Sequence, residues 1–213
     1  SRLVDHTARW LRSTRGLGYY TIGSAGHEAN EAVALALRST DPALLHYRSG
    51  GFYFARATQV AGVDPTNDVL RGMLAKTTEP IAGGRHKVFG SHELSVIPQT
   101  STIAAHLPRA VGLALSFEHA VGPTTWPADS VVVCSFGDAS LNHSTTQGAL
   151  NWASNAAHRG RRVPILFVCE DNGIGISVPT PDGWVAASTA TRPGLDRIEV
   201  DGTDPGAVIA ATE

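Results

Sequence analysis

The chain has 213 residues, of which 42% are hydrophobic and 17% charged, and its formal net charge is −2. That balance belongs to a folded globular protein and excludes a disordered tail or a fibrous repeat. Its basic residues are scattered along the chain, which excludes a one-faced nucleic-acid stripe, and no apolar run reaches membrane-spanning length.

The length suits one large domain. Residues 1–25 mix polar and aromatic side chains, end in GLGYYTIGSAG, and are expected to form an N-terminal arm ahead of a main domain over 26–213. The first residues, SRLVDHTARW, hold no signal-peptide core, so a cytoplasmic protein is expected. GHEANEAVALALRST reads as an amphipathic helix, with Ala32, Leu35 and Ala36 at helical spacing and Asp41-Pro42 closing it. LLHYRSGG reads as a turn, FYFARATQV as a helix, and PTNDVLRGMLAKT as a second one. Residues 80–97 are rich in Gly and His without a period and read as a loop. A long helix is expected from about Thr100 to His119.

The pattern then changes. Ser130 to Phe136 and Val163 to Cys169 are short, β-branched apolar runs, as expected of strands buried on both faces, and a helix from Ser144 to His158 joins them. Arg197 to Val200 reads as a further strand, and Asp204-Pro205 opens a helix in which the chain stops, so more domain is expected to follow. Strand, helix and strand in this order imply a doubly wound, mostly parallel α/β sheet with flanking helices. The two cysteines, Cys134 and Cys169, sit inside the strand runs and read as free buried thiols.

Ligands of such sheets bind beyond the carboxyl ends of the strands. The first run ends at Gly137-Asp138-Ala139 and the second at Glu170-Asp171-Asn172-Gly173-Ile174-Gly175. A carboxylate, an amide oxygen and a backbone carbonyl suit Mg²⁺, which takes a few hard oxygens and completes its octahedron with phosphate and water. Gly137 and Ala139 would let a phosphate approach the backbone, and the helix beginning near Asn142–Ser144 would point its amides at it. Taken singly, Asp138 could be a helix cap and Asn172-Gly173 an ordinary turn; the joined pair is the more specific pattern.

With those residues in view, GDASLNHSTTQGALNWA and PILFVCEDNGIGISVPT resemble the thiamine diphosphate signature of the α subunits of 2-oxo acid dehydrogenase complexes. GHEANEAVALALRSTDPALLHYRSGG, TSTIAAHLPRAVGLALSF and VDGTDPGAV resemble further segments of the same subunits, in the same order, from about Tyr19 onward. The resemblance implies a thiamine diphosphate-binding fold and oxidative decarboxylation of a 2-oxo acid, with acyl transfer to a lipoyl group. It implies that Asp138, Asn172 and the Ile174 carbonyl hold Mg²⁺, that Tyr47 and Arg48 reach the diphosphate, and that Gly137 and Ala139 lie against it. Ser101 and Ile103 would lie near the cofactor's rings. It further implies a β-type pyrimidine-binding chain or domain, an α2β2-like oligomer, and a lipoyl-bearing acyltransferase as partner.

Several positions depart from the family's pattern. The usual GDG or GEG is GDA here, and Glu170-Asp171 stands where many relatives carry an Asn or Arg beside the metal-binding Asn. Ala105 and His106 differ at the positions relatives use for potassium, so that ion is not expected. Nor is there a candidate for the acid that activates the cofactor, since Glu28 and Glu31 read as structural; it is expected from the β part. His143 and His106 are open to an acid/base or a structural reading. Alternative functions are an acetoin-dehydrogenase-type or transketolase-like enzyme of the same cofactor, or a catalytically inactive assembly module.

Overall fold

A computed structural model describes residues 1–19, 23–85, 88–119 and 125–213. Part of the Gly-rich end of the expected arm (20–22) and His86-Lys87 of the expected loop lie outside the described residues. In chain order the helices are α1 (Arg2–Arg15), α2 (Asn30–Ala36), α3 (Gly50–Ala57), α4 (Pro65–Met73), α5 (Leu107–Ser116), α6 (Ser144–His158), α7 (Trp184–Thr189) and α8 (Pro205–Thr212). The strands are β1 (Ala43–Leu44), β2 (Val88–Ser91), β3 (Val96–Thr100), β4 (Val132–Gly137) and β5 (Ile165–Glu170). None of the described helices is long and apolar enough to cross a membrane.

The chain divides into two compact units. One comprises Ser1–Ser39, Tyr47–Ser101 and Asp201–Glu213, and the other Thr40–His46 and Thr102–Val200. In the second unit β4 is the middle of three parallel strands. Val133 and Cys134 pair with Ala43 and Leu44 of β1, and the register with β5 runs from Val132 opposite Ile165 to Gly137 opposite Glu170. Every residue of β4 is buried, and α5 lies against all three strands while α6 packs on α5. Burying each Val, Leu or Phe here contributes about 1.5–3 kcal/mol. The parallel α/β reading of the strand–helix–strand pattern therefore holds.

The first unit holds α1 to α4 and α8 together with an antiparallel hairpin, β2 with β3, in which Val88 faces Thr100 and Ser91 faces Val96. α1 ends where Gly16 takes φ 63°, and its N–H returns to the Arg12 carbonyl at 3.2 Å. α4 and α8 start alike: Asp64 and Asp204 accept from the N–H groups of Asn67 (3.0 Å) and Ala207 (3.1 Å), each followed by a proline. Arg56 of α3 is fully buried, donating to the carbonyls of Ser39 and Leu94 at 3.3 Å each and lying 4.7 Å from the Phe52 ring centroid.

Some sequence expectations need correction. The stretch 80–97 was expected to be a loop but contains β2 and the start of β3. Gly90 and Pro98 hide the strand signal, yet Gly90 is required: a Cβ there would lie 2.8 Å from the Pro98 Cα. LLHYRSGG was read only as a turn, but β1 and the start of α3 enclose it. Arg197 to Val200 forms no strand; Ile198 and Val200 are exposed. α5 starts only at Leu107, because Ala104 takes φ 62° and Pro108 fits only a first turn. β5 was expected to be buried on both faces but is half-buried along its length, with β4 its one partner among the described residues.

Candidate functional site

In the second unit, β4 and β5 end at the same level, since Gly137 pairs with Glu170. Directly after β4, residues Asp138–Asn142 make one 3-10 turn. Asp138 is 2% exposed, and its Oδ2 has no hydrogen-bond partner among the described residues. A buried carboxylate oxygen left without a donor is costly, so it points to a cation as its missing partner. The turn then delivers His143, whose Nδ1 accepts from the Thr145 N–H at 3.2 Å and caps α6. That bond leaves the proton of a neutral, exposed His143 ring on Nε2.

Directly after β5, Asp171 and Asn172 fold the chain back on itself. Their Oδ1 atoms accept from the N–H groups of Gly173 (3.3 Å) and Ile174 (3.1 Å). A small antiparallel excursion follows. Gly175 donates to the Val178 carbonyl at 2.7 Å, Thr180 donates to that of Gly173 at 2.9 Å, and Ile174 bridges Pro179. Glu170 precedes this turn, and Cys169 is half-buried beside it. Burial, with the carboxylates of Asp138, Asp171 and Glu170 adding to it, pushes the Cys169 thiol up to about 12. Cys134 is buried in β4 and burial raises its thiol too; both cysteines are free, as expected.

The structure thus brings Gly137, Asp138, Ala139, Asn172 and Ile174 to one edge of the parallel strands, with His143 opening the helix beside them. Ile103 sits half-buried in the turn before α5 of the same unit. His106 is buried and bonds through Nε2 to the Ser135 carbonyl of β4 at 2.8 Å. Its burial, opposed by that bond and reinforced by Arg109, lowers its pKa and keeps the ring neutral.

Tyr47, Arg48 and Ser101 belong to the first unit, where all three line one cavity of about 150 Å³. Arg48 donates to the Gly23 carbonyl at 2.9 Å and its guanidinium carbon lies 5.4 Å from the Tyr47 ring centroid. Phe54, Val69, Met73, Phe89 and Tyr53 line the same cavity, together with the carboxyl-bearing Asp5, Asp68 and Glu79. Burial, then Asp68, pushes the Tyr53 phenol up to about 12. Residues missed by sequence reasoning are Tyr53, whose helix gave no hint of a cavity, and Gly175, whose second glycine in Gly-Ile-Gly was the available signal.

The family model described as the dehydrogenase E1 component matches residues 2–213. The chain belongs to that family. Among curated E1 relatives, the 2-oxoisovalerate dehydrogenase subunit alpha of Bacillus subtilis (strain 168) is 28% identical over 220 residues, covering 100% of this chain and 61% of the relative. The mitochondrial 2-oxoisovalerate dehydrogenase subunit alpha of Mus musculus is 26% identical over 201 residues, or 92% of this chain and 42% of the relative. The subunit alpha 2 of Arabidopsis thaliana is 28% identical over 199 residues, or 92% of this chain and 39% of the relative. This E1 chain therefore spans between 39% and 61% of the length of these relatives.

Proposed function

We propose that this chain is the α-type part of a thiamine diphosphate- and Mg²⁺-dependent enzyme that oxidatively decarboxylates a 2-oxo acid and passes the acyl group to a lipoyl arm. The observation that carries the reading is the buried Asp138 carboxylate, whose Oδ2 has no partner among the described residues, beside the Asn172 turn at the ends of two paired parallel strands. The names of the E1 relatives make a branched-chain 2-oxo acid the first substrate to try.

Asp138, Asn172 and the Ile174 carbonyl would hold the cation, and Gly137 and Ala139 would let phosphate oxygens lie against the backbone. Tyr47 and Arg48 would reach the diphosphate, Arg48 through a guanidinium whose planar fork suits phosphate oxygens. Ser101 and Ile103 would flank the rings. The bound cofactor supplies an electron sink for loss of CO₂. His143, with its Nε2 proton, would hydrogen-bond the substrate or its product as a donor. The reading includes a cytoplasmic protein, a β-type chain or domain that completes the site, an α2β2-like oligomer and a lipoyl-bearing acyltransferase.

The test is turnover of 2-oxoisovalerate, pyruvate, 2-oxoglutarate and acetoin by the complete gene product with its partner chain. An artificial electron acceptor reports the reaction, with thiamine diphosphate and Mg²⁺ supplied or withheld. Cofactor-dependent turnover that disappears in Asp138→Ala is the expected result. Failure with every substrate, together with no Mg²⁺-dependent cofactor binding, would overturn it and favour an assembly module.

A further inference from the structure

The two turns that end β4 and β5 meet at one point. A Cβ placed on Gly175 would lie 2.7 Å from the Cβ of Ala139, 3.3 Å from Cγ2 of Val178 and 3.4 Å from the Val178 carbonyl oxygen. Carbon pairs rest at about 3.5–4.0 Å, so a methyl at 175 would force these turns apart by about 1 Å. Gly175 does not have positive φ, so the demand for glycine is one of space alone. Neither side can yield by a rotamer change, because an alanine methyl has none. Gly175 is itself held by its 2.7 Å bond to Val178.

Ala139 follows Asp138, and Gly175 follows Ile174. The contact therefore sits one residue from the proposed carboxylate ligand and one from the proposed carbonyl ligand. Mg²⁺ demands near-ideal octahedral geometry at about 2.0–2.1 Å, whereas Ca²⁺ accepts about 2.3–2.6 Å with looser angles. A displacement of about 1 Å exceeds the roughly 0.5 Å tolerance of a working site. The departure from GDG to GDA now has a physical counterpart: the extra methyl at 139 is the surface on which the second turn rests, and an unsubstituted 175 receives it.

We propose that Ala139 and Gly175 are a matched pair of positioning residues, methyl against hydrogen, that sets the gap between the two metal-bearing turns and thereby the preference for Mg²⁺ over a larger cation. The proposal rests on the reading that these turns hold the cation and diphosphate. It concerns spacing and not ligand identity, since neither side chain offers a donor atom.

The experiment compares the complete gene product and its partner with Gly175→Ala, Ala139→Gly and the double variant. Binding of Mg²⁺ and of Ca²⁺ is titrated by tryptophan fluorescence at fixed thiamine diphosphate, and unfolding of the metal-free proteins is followed in parallel. Gly175→Ala is expected to weaken Mg²⁺ binding by about tenfold or more, equivalent to about 1.4 kcal/mol. Its Ca²⁺ binding is expected to change by less than about threefold, because that ion tolerates longer and less regular contacts. The double variant, with the methyl moved from one turn to the other, is expected to return to near wild-type Mg²⁺ affinity. Equal loss for both cations, unchanged Mg²⁺ affinity in Gly175→Ala, or a double variant no better than the single one would overturn the pairing. If Gly175→Ala does not fold, a folded double variant with restored Mg²⁺ affinity supports the proposal and an unfolded one overturns it. A wild-type protein that binds no cofactor in either metal sinks the functional reading beneath it, whereas wild-type binding with insensitive variants sinks the spacing alone.

Discussion

Replacing Asp138 by asparagine should make the metal-free protein more stable while removing its response to cofactor. Asp138 is 2% exposed and its Oδ2 finds no donor among the described residues. A buried acceptor left unpaired costs about 1–3 kcal/mol, and more when it is charged. Asparagine keeps the shape and removes the charge, so a gain of about 1–2 kcal/mol is expected without metal. The wild type, by contrast, gains about 2.7 kcal/mol when ligand is at 100 times its dissociation constant, because only the folded state binds. The order of the two proteins should therefore invert: the variant is the more stable in EDTA, and the wild type in Mg²⁺ and thiamine diphosphate. Urea unfolding of both proteins in the two buffers measures this directly. A variant less stable than wild type in EDTA would refute the reasoning, since the carboxylate would then be making favourable contacts within the protein. So would an equal ligand-induced gain in both proteins.

Arg56→Met should cost about 3–5 kcal/mol, because it strips the donors from the Ser39 and Leu94 carbonyls and the stacking on Phe52; a loss under about 1 kcal/mol in urea unfolding would show the buried guanidinium to be dispensable. The Tyr53 phenol, ordinarily at 10.0, is held up to about 12 in the folded state. Folded and unfolded chains both keep that proton below 10.0, so the stabilisation is complete there, and it is lost as pH rises toward about 12. Tyr53→Phe should therefore flatten the alkaline fall in stability; an unchanged slope in unfolding titrations between those pH values would contradict the assignment. With its thiol near 12, Cys169 should carry thiolate on about one molecule in ten thousand at pH 8. Iodoacetamide labelling read by mass spectrometry should be at least about a hundredfold slower in the native protein than in urea, and equal rates would place the thiol in solvent.

Much of the parallel-strand unit was legible because its signals are local. Val132, Val133 and Cys134 form a continuous apolar run, Gly137-Asp138 ends it, and Ser144–His158 reads as helix without a break. The same holds for Asp138 and Asn172, each recognisable at the end of its own strand. What escaped depends on partners distant in the chain. β2 and β3 were hidden because Gly90 and Pro98, poor strand residues, are tolerated only through their close approach to each other. β1 is two residues long, too short for any period to show, and is a strand because Ala43 and Leu44 pair with Val133 and Cys134. Arg197 to Val200 carries a strand composition, yet composition supplies no neighbour to pair with. The match of Ala139 to Gly175 joins positions separated by a helix and a strand, so only the folded chain displays it. His143 is open in the sequence to an acid/base or a structural reading; its cap on α6 shows how one ring nitrogen is engaged and leaves the other to the substrate question.

The division of the chain into interleaved units bears on how a nascent polypeptide acquires this structure. The unit that opens the chain also needs Asp201–Glu213, because α8 packs on α2, where Ala32, Val33 and Ala34 are buried. Those alanine- and valine-bearing turns leave the ribosome about 170 residues before the helix that packs on them. The other unit draws nearly all of itself from the uninterrupted stretch Thr102–Val200. Its β4–α6–β5 segment can close on local contacts while synthesis continues, whereas α2 must wait for a contact of high sequence separation, the kind that slows folding. Translation is then expected to mature the turns after β4 and β5 first and α2 last, with a stretch of small apolar surface left for chaperones in between.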